Sequence, residues 1–237
     1  MKKYEHKYFP ETREELQDLI KNKTICLGEI DTSKITNMSK LFAYSKRKNF
    51  DGIETWNTSN VTDMSFMFFN CIYFNHNINT WNTSKVIGME DMFVGCINYN
   101  QLMHNWDTSN VINMSYMFYG CEKFNQNINN WNTSKVTDMS FMFYNCINYN
   151  QPLNNWDISN VEYMGFMFAE CFEFNQNLSN WNVSNVKNMS WMFYKCTNFN
   201  QNLLNWDINK DCNKINMFKL CKINRKYKPK MKKFHTV

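Results

Sequence analysis

The chain has 237 residues and a formal net charge of +5, with nine cysteines but only six glycines and three prolines. That length suits one or two domains, and so little glycine and proline leaves no flexible linker between them. At 43% hydrophobic and 17% aromatic residues it is too apolar for a disordered chain, yet no run of about 18 apolar residues offers a membrane-spanning helix.

The N-terminal run Met1-Lys2-Lys3-Tyr4-Glu5-His6 passes into polar sequence without an apolar core of the kind an export signal needs. The expected compartment is therefore intracellular. Next, Thr12-Arg13-Glu14-Glu15 matches a capping box after Pro10, and Leu16, Leu19 and Ile20 mark one apolar helix face. Residues 1–29 are read as an N-terminal helical cap.

From residue 30 to 221 the chain repeats itself. Trp56, Trp81, Trp106, Trp131, Trp156, Trp181 and Trp206 stand 25 residues apart. Between them runs W-N/D-x-S-x-V-x-x-M-x-x-M-F-x-x-C-x-x-F/Y-N-Q, without insertion or deletion from Trp56 through Leu203. An imperfect copy begins at Ile30 and is one residue longer, and the last copy decays after Trp206, where Asp211 and Lys214 enter apolar slots. A period of this kind marks an array of about eight stacked units with atypical ends.

Within a unit, Met64, Met67, Phe68 and Cys71 follow the i, i+3, i+4, i+7 spacing of a short helix or of two successive helical turns. The stretch from Phe74 to Ile78 reads as a short extended segment, and Val61 to Met64 as a second extended or turn segment. The expected fold is an α/β repeat solenoid with one short strand and one short helical segment per 25-residue coil; the alternative is a mostly β solenoid. The asparagines from Asn75 to Asn200 and the serines from Ser59 to Ser184 recur once per unit and suit turns and bridges between coils.

Seven of the nine cysteines form one column, Cys71, Cys96, Cys121, Cys146, Cys171, Cys196 and Cys221, on the face of the methionines. They are expected to be small buried thiols, reduced in an unexported chain. The histidines do not track them and no C-x-x-C pair occurs, so neither a metal nor a cofactor is expected. The many N-x-S/T matches, as at Asn57-Thr58-Ser59, are by-products of the repeat. No phosphate loop and no nucleophile with a nearby base emerges, which points away from an enzyme. Asp63 and Asp138 fall at a turn slot and are read as local caps.

Two columns could carry a partner. Phe66, Asp91, Tyr116, Phe141, Phe166 and Trp191 form an aromatic row, with Phe69, Val94, Tyr119, Tyr144, Ala169 and Tyr194 beside it. Exposed, the row is a contact stripe; the plainer alternative is that its rings pack over one another between coils. The polar column is His76, Gln101, Gln126, Gln151, Gln176 and Gln201, and its plainer alternative is an amide ladder that only supports stacking. Beside it run Asn77, Leu102, Asn127, Pro152, Asn177 and Asn202, and the irregular positions (His76, Leu102 and Pro152 on this polar face, Asp91 and Ala169 on the aromatic one) are where specificity would reside.

The repeat, as in Trp131-Asn132-Thr133-Ser134-Lys135-Val136 with Met139, Met142-Phe143 and Phe124-Asn125-Gln126, resembles the BspA-like group of leucine-rich-repeat proteins over about residues 30–221. The resemblance implies a right-handed leucine-rich-repeat-like solenoid, of a kind found in bacterial surface proteins, mollicutes and large DNA viruses. It also implies a partner site on the strand face, where the glutamine column lies. A virus-infected host cell or a virion is a setting it adds. The export signal or lipid-attachment cysteine of surface members is not seen here.

Residues 222–237 form a basic C-terminal tail, with Lys222, Arg225, Lys226, Lys228, Lys230, Lys232 and Lys233 and no acid. Its seven charges exceed the net +5, so the rest of the chain is slightly acidic. The leading expectation is a non-enzymatic scaffold for a protein partner. The alternative is contact with nucleic acid or a membrane surface through Lys226, Lys228, Lys230, Lys232 and Lys233; a plain solvated tail is the third reading.

Overall fold

The computed structural model describes residues 3–230. Helix α1, Arg13–Lys21, is the one α-helix among them, and three 3₁₀ turns (Leu27–Glu29, Ile53–Thr55 and Arg225–Tyr227) complete the regular structure. Thr12 caps α1, its hydroxyl accepting from the Glu15 amide at 3.2 Å. The Glu15 carboxylate reaches back to the Glu11 amide. Leu16 and Ile20 bury the apolar face.

α1 closes the first repeat with arginines. Arg13 Nε donates to Ser39 O at 2.8 Å. The buried Arg47 guanidinium donates to Ile20 O, Asn22 O and Ile25 O, carbonyls at and just beyond the helix C-terminus, and to Asn49 O in its own loop.

Past this cap the repeats stack in register. Single-residue parallel bridges run Asn37, Asp63, Gly88, Asn113, Asp138, Tyr163, Asn188, Asn213, each residue pairing with the next. Around each bridge the amides divide their work. Met64, Phe66, Phe68 and Asn70 donate forward, to Gly88, Glu90, Met92 and Val94 of the next repeat. Met67, Phe69 and Cys71 donate back within the repeat, to Met64, Phe66 and Phe68.

This corrects the expected fold class. The Met-Met-Phe-Cys face is not helical: alternate amides leave the repeat, and the backbone enters the left-handed region at Phe66 (φ +58°) and Asn70 (φ +52°). Consecutive turns satisfy the i, i+3, i+4, i+7 spacing as well as a helix does. Nor does 74–78 form a strand. There the Asn100 amide donates to the Asn75 side chain at 3.0 Å, and a side-chain oxygen replaces the backbone acceptor a sheet would use. The mostly β alternative fails with it, since pairing is confined to isolated bridges. The chain is a stack of turns, tied between repeats more than within them.

The core runs through the stack as columns. Every tryptophan of the repeat is 2–4% exposed, and each indole N–H donates to a carbonyl of the preceding repeat, as Trp131 does to Met103 O at 3.1 Å. Phe68, Phe93, Phe118, Phe143, Phe168 and Phe193 stack face to face at 5.5–5.7 Å. The cysteines lie beside them as free thiols. Cys121 Sγ donates to Phe93 O at 3.0 Å and Cys146 Sγ to Phe118 O at 3.0 Å. Burial pushes the Cys71 thiol up to about 12, and Cys96 and Cys146 well above the ordinary thiol value.

One column had no place in the sequence reading. Thr58, Thr83, Thr108 and Thr133 are buried, and each hydroxyl donates to a carbonyl of the following repeat, as Thr108 does to Asn132 O at 2.9 Å. Later repeats replace them by Ile158, Val183 and Ile208.

Candidate functional site

The polar column lies where the repeats are sewn together. Gln101, Gln126, Gln151, Gln176 and Gln201 donate to the Oδ1 of Asn75, Asn100, Asn125, Asn150 and Asn175 at 2.8–3.1 Å. Each of those oxygens also accepts the amide of the next asparagine, as in Asn125 N to Asn100 Oδ1 at 2.9 Å. The glutamine NH2 groups are therefore engaged along the stack. Of the irregular positions, His76 Nε2 contacts Glu54 Oε2 at 2.8 Å, Leu102 is exposed and Pro152 is half-buried. Asp63 and Asp138 accept the amides of Ser65 and Ser140 two residues on, so both act at turns.

The aromatic row forms a half-buried ridge. Tyr116 stacks on Phe141 at 4.6 Å with rings 9° apart, Phe141 on Phe166 at 4.6 Å and 7°, and Phe166 on Trp191 at 5.8 Å and 9°. A second file stands beside it: Tyr119 stacks on Tyr144 at 4.7 Å, and Tyr194 meets Trp191 edge-on at 5.0 Å. Ala169 breaks this second file. From Tyr116 to Trp191 the facing sides of the rings are spent on each other, and the ridge presents their edges.

Backbone geometry aims these rings. Phe66, Asp91, Tyr116, Phe141, Phe166 and Trp191 all have φ between +57° and +59°. That region costs a non-glycine residue on the order of 1–2 kcal/mol. Every one of these residues donates its amide to the next repeat, as Phe141 does to Gly165 O at 2.9 Å, which holds the conformation. The result is a rigid display rather than a set of free side chains. No residue type in this column announces a left-handed backbone; the nearest hint is four residues on, where Gly95 and Gly120 share a second positive-φ column with Asn70 and Asn145.

Lysines close the ends of the ridge. Lys40 Nζ stands over Phe66 at 5.2 Å and Lys219 Nζ over Trp191 at 5.0 Å. Lys195 lies over Tyr194 at 5.0 Å and pairs with Glu170 at 2.7 Å. None of these was singled out from the sequence, because Lys40 and Lys219 stand about one repeat away in sequence from the rings they cover, and only the register brings them together.

One level of the row is different. Asp91 takes the place of a ring between Phe66 and Tyr116, and Val94 takes the neighbouring place between Phe69 and Tyr119. Burial, with Glu90 as the second cause, pushes the Asp91 carboxyl up to about 6.

The described part of the tail is packed against the last repeats. Tyr227 O accepts from the Leu203 amide at 2.9 Å, and Ile223 and Pro229 are buried. Lys226 stands over Tyr227 at 4.9 Å and Lys228 over Phe218 at 5.4 Å, while Lys230 is exposed. Lys232 and Lys233 lie outside the described residues. Among the described residues no helix is long and apolar enough to cross a membrane.

The family described as "Mycoplasma protein of unknown function, DUF285" matches the chain twice, over residues 11–130 and 113–231. No curated protein and no solved structure matches it.

Proposed function

We propose that this chain, which belongs to the DUF285 family of mycoplasma proteins of unknown function, is a non-enzymatic repeat scaffold that binds a protein partner along several consecutive repeats. The observation that carries the reading is the ridge from Tyr116 to Trp191. Four stacked rings with a partial second file make a stripe of aromatic edges on a backbone too constrained to rearrange. Tyrosine and tryptophan supply large contact area with little conformational entropy to lose, which is why interfaces favour them. The glutamine column is the weaker candidate, because its donors are engaged between repeats. The likeness of the repeat to BspA-like sequences supports a binding role for the residue pattern, without the strand-and-helix coil that group implied.

Contact with nucleic acid through the tail is the competing reading, and one experiment separates the two. Immobilised full-length chain is compared with Y119E/Y144E, which places charge on the ridge, and with K226Q/K228Q/K230Q, which neutralises the described tail. Truncating the tail is a poor substitute, since Ile223 and Pro229 help cover the last repeats. Loss of bound protein in the ridge variant alone, with its far-UV circular dichroism as in wild type at the binding temperature, is the expected outcome. Loss only in the lysine variant, with nucleic acid in the wild-type eluate, would overturn it.

A further inference from the structure

We infer that the break in the aromatic row at Asp91 is a binding slot for a planar cation, the guanidinium of an arginine side chain carried by a protein partner. The inference rests on the ridge being a docking surface and names what one of its levels takes.

The register defines the slot. Phe66 donates its amide to Glu90 O and Asp91 donates its own to Ser115 O, so Asp91 lies one repeat beyond Phe66 and one before Tyr116. Its φ of +57° matches the aromatic residues of the row, so its side chain leaves the backbone in the direction their rings take. A carboxylate is much shorter than a phenyl ring. Phe66 and Tyr116 are thus held two repeats apart across a level from which the ring is missing. The step next to the slot is 4.6 Å, from Tyr116 to Phe141 and again from Phe141 to Phe166. A flat group lying midway in the slot would sit about one such step from each ring, which is ordinary stacking distance. Among the described residues neither ring stacks on an aromatic group, or carries a cation, on the side facing Asp91.

The ridge already shows what its free ring faces accept. Phe66 carries Lys40 on the far side, and Trp191 carries Lys219 at the other end. Both outer faces of the row are covered by a cation of the chain itself. The two faces at Asp91 are covered by none, and a carboxylate stands between them. Among the described residues that carboxylate has neither a hydrogen-bond nor an ion-pair partner. The charged and titratable groups around it are Glu90 beside it, Asp63 on the preceding repeat, the Tyr116 phenol on the following one with Asp138 a repeat beyond, and Lys40 on the far side of Phe66. Acids predominate, so the local field favours a cation.

Arginine suits the site better than lysine. A guanidinium presents two flat faces for the rings and in-plane N–H groups for the carboxylate, whereas an ammonium is a compact, strongly hydrated point. Val94, buried, fills the second file at this level with a side chain shorter than the rings of Phe69 and Tyr119.

The test uses the full chain and a short glycine–serine peptide with one central arginine, against the same peptide with neutral citrulline. Amide chemical shifts report where each binds. The arginine peptide is expected to perturb the Phe66, Asp91 and Tyr116 levels, and citrulline to bind about tenfold more weakly or less, the loss of one ion pair and its cation–π contacts. D91N should lose affinity by a similar factor. D91F should abolish binding while melting no lower than wild type, because it completes the row. Affinity should also fall as pH drops through about 6, where the carboxylate of the free slot takes up its proton. The inference is overturned if millimolar arginine peptide leaves those levels unperturbed, if citrulline binds equally, or if D91F still binds. None of these outcomes bears on the ridge reading, which is decided by Y119E/Y144E; conversely, a ridge that captures no partner leaves the peptide result to stand on its own.

Discussion

Two aromatic columns share the core and treat their polar atoms differently. In the tryptophan column every indole N–H reaches a carbonyl of the repeat before it, from Trp56 to Leu27 O at 2.8 Å to Trp206 to Leu178 O at 2.8 Å. In the neighbouring column, Phe74, Tyr99, Phe124, Tyr149, Phe174 and Phe199, the hydroxyls of Tyr99 and Tyr149 are buried with no partner. Both columns stack: Trp106 on Trp131 at 6.3 Å, Tyr99 on Phe124 at 6.2 Å, Phe124 on Tyr149 at 5.7 Å. Apolar packing is therefore not what separates them. A polar atom is stabilising in this stack where the adjacent repeat supplies its partner, and a cost where it does not.

The largest effect expected from this comparison is at Trp131. Replacing it by alanine removes a buried aromatic from between two like neighbours and leaves Met103 O without its donor. The cost should be about 3–5 kcal/mol, which for a chain of this length lowers the melting temperature by roughly 6–20 °C. A shift within a degree of wild type would show that the column is not load-sharing core. The array could then be melting by parts rather than as a unit.

A smaller effect tests the same rule outside the core. Asn125 Oδ1 accepts both the Asn150 amide and Gln151 Nε2. Asn125→Ala removes an acceptor that two groups of the next repeat share, at a cost of about 1–2 kcal/mol, because water reaches this half-exposed site and replaces part of what is lost. Gln151→Ala should cost less, since only the side-chain donor goes and the Asn150 amide keeps its partner. Equal costs for the two variants, measured by denaturant unfolding, would mean that the ladder works through its side chains alone.

The columns themselves were legible in the sequence. Trp131, Met139, Met142, Phe143 and Cys146 recur in fixed order, and all are buried. Their conformation was not. The spacing of Met64, Met67, Phe68 and Cys71 is common to a helix and to consecutive turns, and what decides between them is the destination of alternate amides, which lies 24 residues away. The supposed strand at 74–78 failed for a related reason. Asparagine was read as a bridging amide, but nothing in its recurrence says that its oxygen would replace the backbone acceptor a sheet needs. Of the surfaces, the rows could be drawn but not told apart. Only register shows Gln126 engaged and the edges of Phe141 and Phe166 displayed, and only register puts Lys40 and Lys219 over the ends of the ridge.

The smallest effect expected has the opposite sign. Tyr149→Phe deletes one hydroxyl and nothing else. The ring stays stacked on Phe143 at 4.3 Å and on Phe174 at 6.1 Å, and phenylalanine fills the same slot at Phe124 and Phe174 without distortion. The hydroxyl in place lies against the buried thiols of Cys146 and Cys171, and burial raises it well above the ordinary phenol value. Those thiols already donate to Phe118 O and Phe143 O, so they have little to offer the phenol. Removing a buried, unpartnered hydroxyl should return about 1 kcal/mol. Tyr99→Phe should do the same two repeats away, and the double variant should gain about the sum, because the ring of Phe124 separates the two hydroxyls and both substitutions leave the stacking on it in place. Unfolding of the three variants against wild type decides it. If either single variant lost stability, its hydroxyl would have to be bonded, to a buried water or to a thiol that turns toward it, and the contrast between the columns would disappear.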